Sequence, residues 1–150
     1  MQNPEPITKY MATKLITFTP DADLREAIAT IVKRRISGAP VVNEHGDLVG
    51  MISEKDCINA IVEGPYNQGP GATGTVGDFM STNVKTVDVS SNVLEVSYQF
   101  ALTNYRRFPV TDHGKLVGQI SRSDILRAIL KMTPKIKHVP SSWAPRIPMI

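Results

Sequence analysis

The sequence predicts an α+β fold in which two β-α-β-β-α repeats pack with pseudo-two-fold symmetry into one body. Three observations carry this. GMISEKD at 50–56 returns as GQISRSD at 118–124, each followed by an apolar-periodic run, CINAIV and ILRAIL. The likeness continues upstream and downstream of these strings. Met11 and Pro40 match Met80 and Pro109 at a spacing of 69, and Gly46, Gly50, Ser53 and Asp56 match Gly114, Gly118, Ser121 and Asp124 at 68. Finally, the Gly/Pro-rich stretch GPYNQGPGATG lies between the copies and has no apolar period, as expected of a linker. The repeats are placed at 7–63 and 76–132, the linker at 64–75 and a tail at 133–150.

Each copy parses in the same order. Residues 15–18 (LITF) and 84–87 (VKTV) are β-branched and alternating, as short strands are. Residues 21–34 and 90–104 begin with capping side chains and carry apolar residues at three- and four-residue spacing, which predicts amphipathic helices. APVV at 39–42 and FPVT at 108–111 predict the second strand. Proline cannot donate to a ladder, so Pro40 and Pro109 are expected at strand starts. Residues 47–53 and 115–121 predict a third strand, reached through turns at NEHG and DHG, and a helix follows each serine. A unit of roughly 55 residues buries too little apolar surface to be secure alone. The two copies are therefore expected to share one core, with equivalent features facing each other across a central cleft.

Composition narrows the function classes. The chain is 41% apolar and 21% charged, ordinary for a soluble globular protein. No run approaches the ~18 apolar residues of a membrane span, and no charged-then-apolar leader suggests secretion. Cys57 is the sole cysteine, which excludes a disulfide framework and predicts a reducing, cytoplasmic setting. Inside an apolar helical run it reads as a buried structural thiol. The net charge of +3 admits anionic ligands but lacks the clustered basic stripe of a nucleic-acid binder. His45 and His113 fall in matching turns with no further ligand at metal spacing, so no metal is expected. Lys33, Arg34 and Arg35 read as a solvated helix end, and Trp143 with the closing IPMI as a packing segment at a dimer interface. No Ser/His/Asp order or phosphate loop appears, so the chain is not expected to be an enzyme.

The chemistry lies in the repeated serine and aspartate. One reading of Ser-x-x-Asp before an apolar run is a capping box, although Glu or Gln suits that role better and Asp is short for it. The other reading uses the same geometry. A serine at a strand-to-helix junction offers a hydroxyl beside unpaired N–H groups at the positive end of the helix dipole, which suits a phosphate. An ionised aspartate one turn on is acceptor-only, and its two oxygens match the two hydroxyls of a ribose. Together they describe a nucleotide holder.

With these marks in order (TKYMATKLITFTPD/VGDFMSTNVKTVDV, SGAPVV/RRFPVT, the HGxLVG turn and GxxSxxD), residues 7–132 resemble a tandem pair of CBS domains, named for cystathionine β-synthase. The resemblance implies a CBS-pair module that binds adenosine-containing ligands such as AMP, ADP or ATP as regulators and needs no other cofactor. It also implies a helix-mediated homodimer and a regulated effector protein. A structural dimerisation or adaptor module with no physiological nucleotide is the alternative. The resemblance further implies composite sites, with the ribose-binding Asp from one repeat and the adenine on strand residues of the other. One would join Ser121, Ser123 and Asp124 to Thr13, Ile36, Ser37, Gly38, Ala39 and Pro40. Its counterpart would join Ser53 and Asp56 to Thr82, Tyr105, Arg106, Arg107 and Phe108. Arg106 and Arg107 resemble a basic pair that reaches phosphates at the site of Asp124; alternatively they complement a helix C-terminus. The first repeat has Ser37 and Gly38 in their place and carries Glu54 near the expected phosphate, so the Asp124 site ranks first.

Overall fold

Side-chain caps set where the first helix of each copy begins. Asp23 accepts the Glu26 N–H at 3.1 Å and opens α1 (Leu24–Arg34), and Asn92 accepts the Glu95 N–H at 2.9 Å at the matching point of the second copy. The computed structural model describes residues 4–63 and 74–132; most of the expected linker and the whole tail with Trp143 lie outside them. After a 3-10 turn at Ile7–Lys9, the first copy runs α1, β1 (Gly38–Val42), β2 (Leu48–Ser53) and α2 (Glu54–Glu63). The second runs α3 (Val76–Phe79), β3 (Val87–Asp88), α4 (Val93–Leu102), β4 (Arg107–Asp112), β5 (Lys115–Ser121) and α5 (Arg122–Lys131). β1 pairs antiparallel with β2 and β4 with β5, while β3 lies parallel to β4.

The strands expected first in each copy are shorter than the alternation suggests. Residues 15–18 contribute only a parallel bridge from Phe18 to Val41, and 84–87 shrink to Val87–Asp88. The reason is that each segment travels between sheets. Ala12 pairs with Gln119 in β5 before Phe18 reaches β1, and Ser81 pairs with Met51 in β2 before Val87 reaches β4. Backbone groups divided between two partners form bridges rather than one long ladder. Pro40 and Pro109 also differ from expectation, standing third in β1 and β4 instead of first. Their missing N–H costs nothing there: Pro40 O accepts the Phe18 N–H at 3.0 Å, and β3 begins opposite Val110, one residue beyond Pro109.

Among the described residues the expected single core is divided into two clusters, each completed by the opening segment of the other copy. Phe100, Phe108, Val110, Ile120 and Ile125 of the second copy enclose Ile7 from the first, which is 0% exposed. Leu24, Ile31, Val41 and Ile52 of the first copy enclose Val76 from the second, with Phe79 and Met80 against them. Two-way backbone pairs close each crossing, Ala12 with Gln119 at 2.9 Å both ways and Ser81 with Met51 at 2.8 and 2.9 Å. Two glycines permit the approach: a Cβ on Gly50 would lie 2.6 Å from Met80 Sδ, and one on Gly118 would lie 2.7 Å from Met11 Sδ. The repeated methionine and the repeated glycine therefore answer each other across copies. At the pseudo-two-fold axis, equivalent turn residues meet: Lys115 Nζ lies 3.1 Å from Asp47 Oδ1, Leu48 N–H donates to Gly114 O at 3.0 Å and Leu116 N–H to Gly46 O at 3.1 Å.

Candidate functional site

Both Ser-x-x-Asp motifs form the capping box, so aspartate is long enough after all. Ser53 N–H and its hydroxyl each donate to Asp56 Oδ2 at 2.9 Å, and Asp56 N–H returns to Ser53 Oγ at 3.1 Å. In the second copy Ser121 N–H donates to Asp124 Oδ2 at 2.8 Å, and Asp124 N–H to Ser121 Oγ at 3.2 Å. Extended backbone at the cap (φ −112°, ψ 166° at Ser121) turns its N–H toward the aspartate and shortens the reach. Capping and ligand binding are not exclusive, because the cap uses Oδ2 and leaves Oδ1. The copies then diverge. Asp124 Oδ1 is ion-paired with Arg127, whereas Asp56 Oδ1 takes no hydrogen bond from any described residue.

Strand alternation aims the remaining side chains. On β2, Ile52 enters the core while Met51 and Ser53 face away from it; on β4, Phe108 and Val110 enter the core while Arg107 and Pro109 face the same open side. Between them lies a cavity of about 250 Å³. Met51, Ser53 and Asp56 from the first copy line one wall, and Ser81, Asn83, Val84, Lys85, Tyr105, Arg107 and Pro109 from the second line the other. An acceptor carboxylate and a hydroxyl thus face two cations, Arg107 and Lys85. Such a set suits a small polar molecule carrying hydroxyls at one end and an anionic group at the other.

Of the residues expected here, Ser53, Asp56, Tyr105 and Arg107 come together; Thr82 is exposed between two lining residues, Ser81 and Asn83. Phe108 does not join them. It is fully buried and stacks on Phe100 with ring centroids 4.5 Å apart, so its alternation assigns it to the core. Arg106 is exposed and engaged through its backbone: its carbonyl accepts the Arg122 N–H at 3.0 Å, while Arg122 Nε donates to Tyr105 O at 2.8 Å. Arg107, expected at both sites, lines the Asp56 cavity. Glu54, expected to repel a phosphate there, faces a groove between α1 and α2 with Ile28, Cys57 and Ile61.

Around Asp124, Ser123 Oγ lies 3.1 Å from Ser121 Oγ. Thr13 lines a different cavity of about 230 Å³ with Leu15, Thr17 and Leu116. Ser37 O accepts the Glu54 N–H at 2.9 Å, Gly38 is opposite Ser53, and Ala39 and Pro40 are buried. Ile36 packs on the first core. Asn83 and Lys85 were not expected. Comparison of the copies holds a signal for them, since Lys85 falls where the first copy has Ile16, an exchange of an apolar side chain for a cation in a strand-like segment.

Two further features bear on chemistry. Burial raises the Cys57 thiol above its ordinary value, and the neighbouring Asp56 and Glu54 carboxylates raise it further, so it stays protonated and unreactive. Among the described residues no group of three or more His, Cys, Asp or Glu side chains is placed to hold a metal, and no helix is long and apolar enough to cross a membrane.

The sequence matches the family described as CBS domain twice, over residues 7–63 and 76–131. Among curated relatives, it is 29% identical over 126 residues to the uncharacterized protein MJ1225 of Methanocaldococcus jannaschii, covering 83% of this chain and 43% of that one. The chain spans 43%, 64% and 58% of the lengths of three such relatives. Among solved structures, CBSX2 of Arabidopsis thaliana in complex with AMP superimposes with a TM-score of 0.72 at 27% identity, covering 85% of this chain and 97% of that one. The CBS domain pair of protein MJ0100, in complex with 5'-methylthioadenosine and S-adenosyl-L-methionine, superimposes with a TM-score of 0.67 at 26% identity, covering 85% and 97%.

Proposed function

The chain belongs to the CBS domain family, and on that premise we propose that it is a ligand-sensing regulatory module whose Asp56 cavity takes an adenosine-containing nucleotide. One observation carries the reading: a single cavity joins Asp56, with Oδ1 unengaged among the described residues, to Arg107 and Lys85 of the other copy. The ribose hydroxyls donate to Asp56 Oδ1, and the phosphate pairs with Arg107 and Lys85. The adenine lies against Met51, Val84, Tyr105 and Pro109. CBSX2 in complex with AMP, and the MJ0100 domain pair in complex with two adenosine compounds, support this ligand class. The placement of Arg107 favours the Asp56 site over the Asp124 site, the reverse of the order expected from sequence.

A ligand bridging the two copies biases their relative arrangement only through unequal affinity for two states. The units that move are the repeats at 7–63 and 76–132, joined by 64–75, with 133–150 as an appended tail. The site binds and does not transform its ligand, so the chain acts as a non-enzymatic sensor in a cytoplasmic setting. Output passes through a homodimer and an effector protein. Apolar side chains on the outer helix faces support the dimer: Val32 of α1, Leu102 of α4 and Leu130 of α5 are 71%, 83% and 86% exposed. A thermal-shift screen with AMP, ADP, ATP and S-adenosylmethionine tests the ligand. At 100 times its dissociation constant a true ligand adds about 2.7 kcal/mol, on the order of 5–10 °C for a chain of this size. No shift with any of the four would favour a purely structural dimerisation module.

A further inference from the structure

The two pseudo-equivalent aspartates differ in one neighbour. Asp124 Oδ2 is held by the Ser121 N–H at 2.8 Å and Oδ1 by the Arg127 guanidinium, one turn further along α5. No oxygen of this carboxylate is left without a donor. The ion pair is anchored on a side chain only 12% exposed, while Arg127 itself is 58% exposed and turns back along its own helix. In the first copy the position equivalent to Arg127 is Asn59, which makes no hydrogen bond to Asp56 among the described residues. A sequence difference of one residue therefore separates an occupied carboxylate from one with an oxygen to offer.

We propose that Arg127 is an intramolecular occupant of the second site, so that the pseudo-symmetric chain takes one nucleotide rather than two. This rests on the reading of Asp56 as the ribose-binding carboxylate. To bind at Asp124 in the same way, a ribose must displace the guanidinium from the carboxylate and put a neutral hydroxyl donor in its place, giving up the attraction between two opposite charges. Arg127 thus competes with ligand at every concentration, and the asymmetry makes the Asp56 site the single sensor. Removing the guanidinium frees Oδ1, and AMP affinity at Asp124 is expected to rise at least about tenfold.

Calorimetric titration of AMP into the full chain tests this through stoichiometry. Counting sites of affinity comparable to that of wild type, wild type is expected to bind one AMP per chain, Arg127→Asn two, Asp56→Asn none, and the Asp56→Asn/Arg127→Asn pair one. Arg127→Lys, which keeps a cation beside Asp124, is expected to stay at one. Two sites in wild type, or one site in Arg127→Asn, would overturn the role of Arg127 while leaving nucleotide sensing intact. One site retained in Asp56→Asn would overturn it as well. Absence of AMP binding in every protein would instead remove the proposed function and this inference with it. Arg127 is an exposed helix residue, and matching urea midpoints across the set would establish that all variants are folded.

Discussion

Replacing Gly50 by alanine puts a methyl group where the two copies cross. The new Cβ would lie 2.6 Å from Met80 Sδ, 3.0 Å from Met80 Cγ and 2.9 Å from Ser81 O. The thioether can swing aside, but the carbonyl cannot, because Ser81 O accepts the Met51 N–H at 2.9 Å and Ser81 N–H returns to Met51 O at 2.8 Å. Relief requires the segment around Ser81 to move off β2, lengthening both bonds. Overpacking costs about 1–3 kcal/mol and a weakened backbone bond about 0.5–1.5 kcal/mol, so a loss of roughly 2–4 kcal/mol is expected. Urea denaturation with an unchanged m-value measures it. Because Met51 and Ser81 also line the Asp56 cavity, AMP affinity should fall in the same variant. In a Met80→Ala background the sulfur contact is gone and the carbonyl contact remains, so the cost should shrink by about 1 kcal/mol without vanishing. Gly118→Ala is the control: it meets Met11 Sδ at 2.7 Å and Ala12 O at 2.9 Å, none of these residues lines that cavity, and it should cost similar stability while sparing AMP affinity. A Gly50→Ala protein within about 0.5 kcal/mol of wild type, with AMP binding intact, would refute the crossing as described.

Other perturbations reach different parts of the molecule. Ile7→Ala should cost about 2–5 kcal/mol although Ile7 belongs to the first repeat and its cavity opens in the core of the second; a near-neutral result would contradict the exchange of opening segments. Arg107→Ala should weaken ATP roughly tenfold, about 1.4 kcal/mol, and adenosine by less than about twofold, as read by calorimetry. Indifference to phosphate number would remove Arg107 from the phosphate end. The Asp47 carboxyl is held below its ordinary 3.8 by the Asn43 amide and then by Lys115, and that of Asp88 by the hydroxyl and N–H of Ser90. Depressed folded values mean stabilisation that is present above 3.8 and lost as pH falls through them. Urea midpoints should therefore be flat near neutrality and fall below about pH 4, less steeply in an Asp47→Asn/Asp88→Asn variant. An acid limb identical in that variant would sever the link to these two groups.

Much of this was legible from residues alone. The recurrence of GxxSxxD and the apolar periodicity foretold two copies, their helices and their hairpins, since these depend on contacts close in sequence. What the sequence concealed depends on which copy each segment packs against. Met11 and Met80 read as repeat markers, yet their partners are Gly118 and Gly50 of the opposite copy, and that exchange both shortens the expected first strands and divides the core. The resemblance set Arg107 at both sites, its guanidinium reaching the phosphates at Asp124, while the β4 pleat turns it toward Asp56. Phe108, one residue on, turns inward for the same reason. Arg127 went unnoticed because an arginine three residues after an aspartate on a helix is an ordinary i,i+3 pair, and only comparison with Asn59 gives it meaning.

The choice between the two aspartates can be measured with two variants and one ligand. AMP titrated into Asp56→Ala and Asp124→Ala, beside wild type, reports which carboxylate holds the ribose. Binding is expected to weaken about 10- to 150-fold in Asp56→Ala, the ~1.5–3 kcal/mol of a lost charged hydrogen-bonding partner, and to change less than about twofold in Asp124→Ala. Equal losses at the two positions, or a loss at Asp124 alone, would contradict the assignment of the nucleotide to the Asp56 cavity.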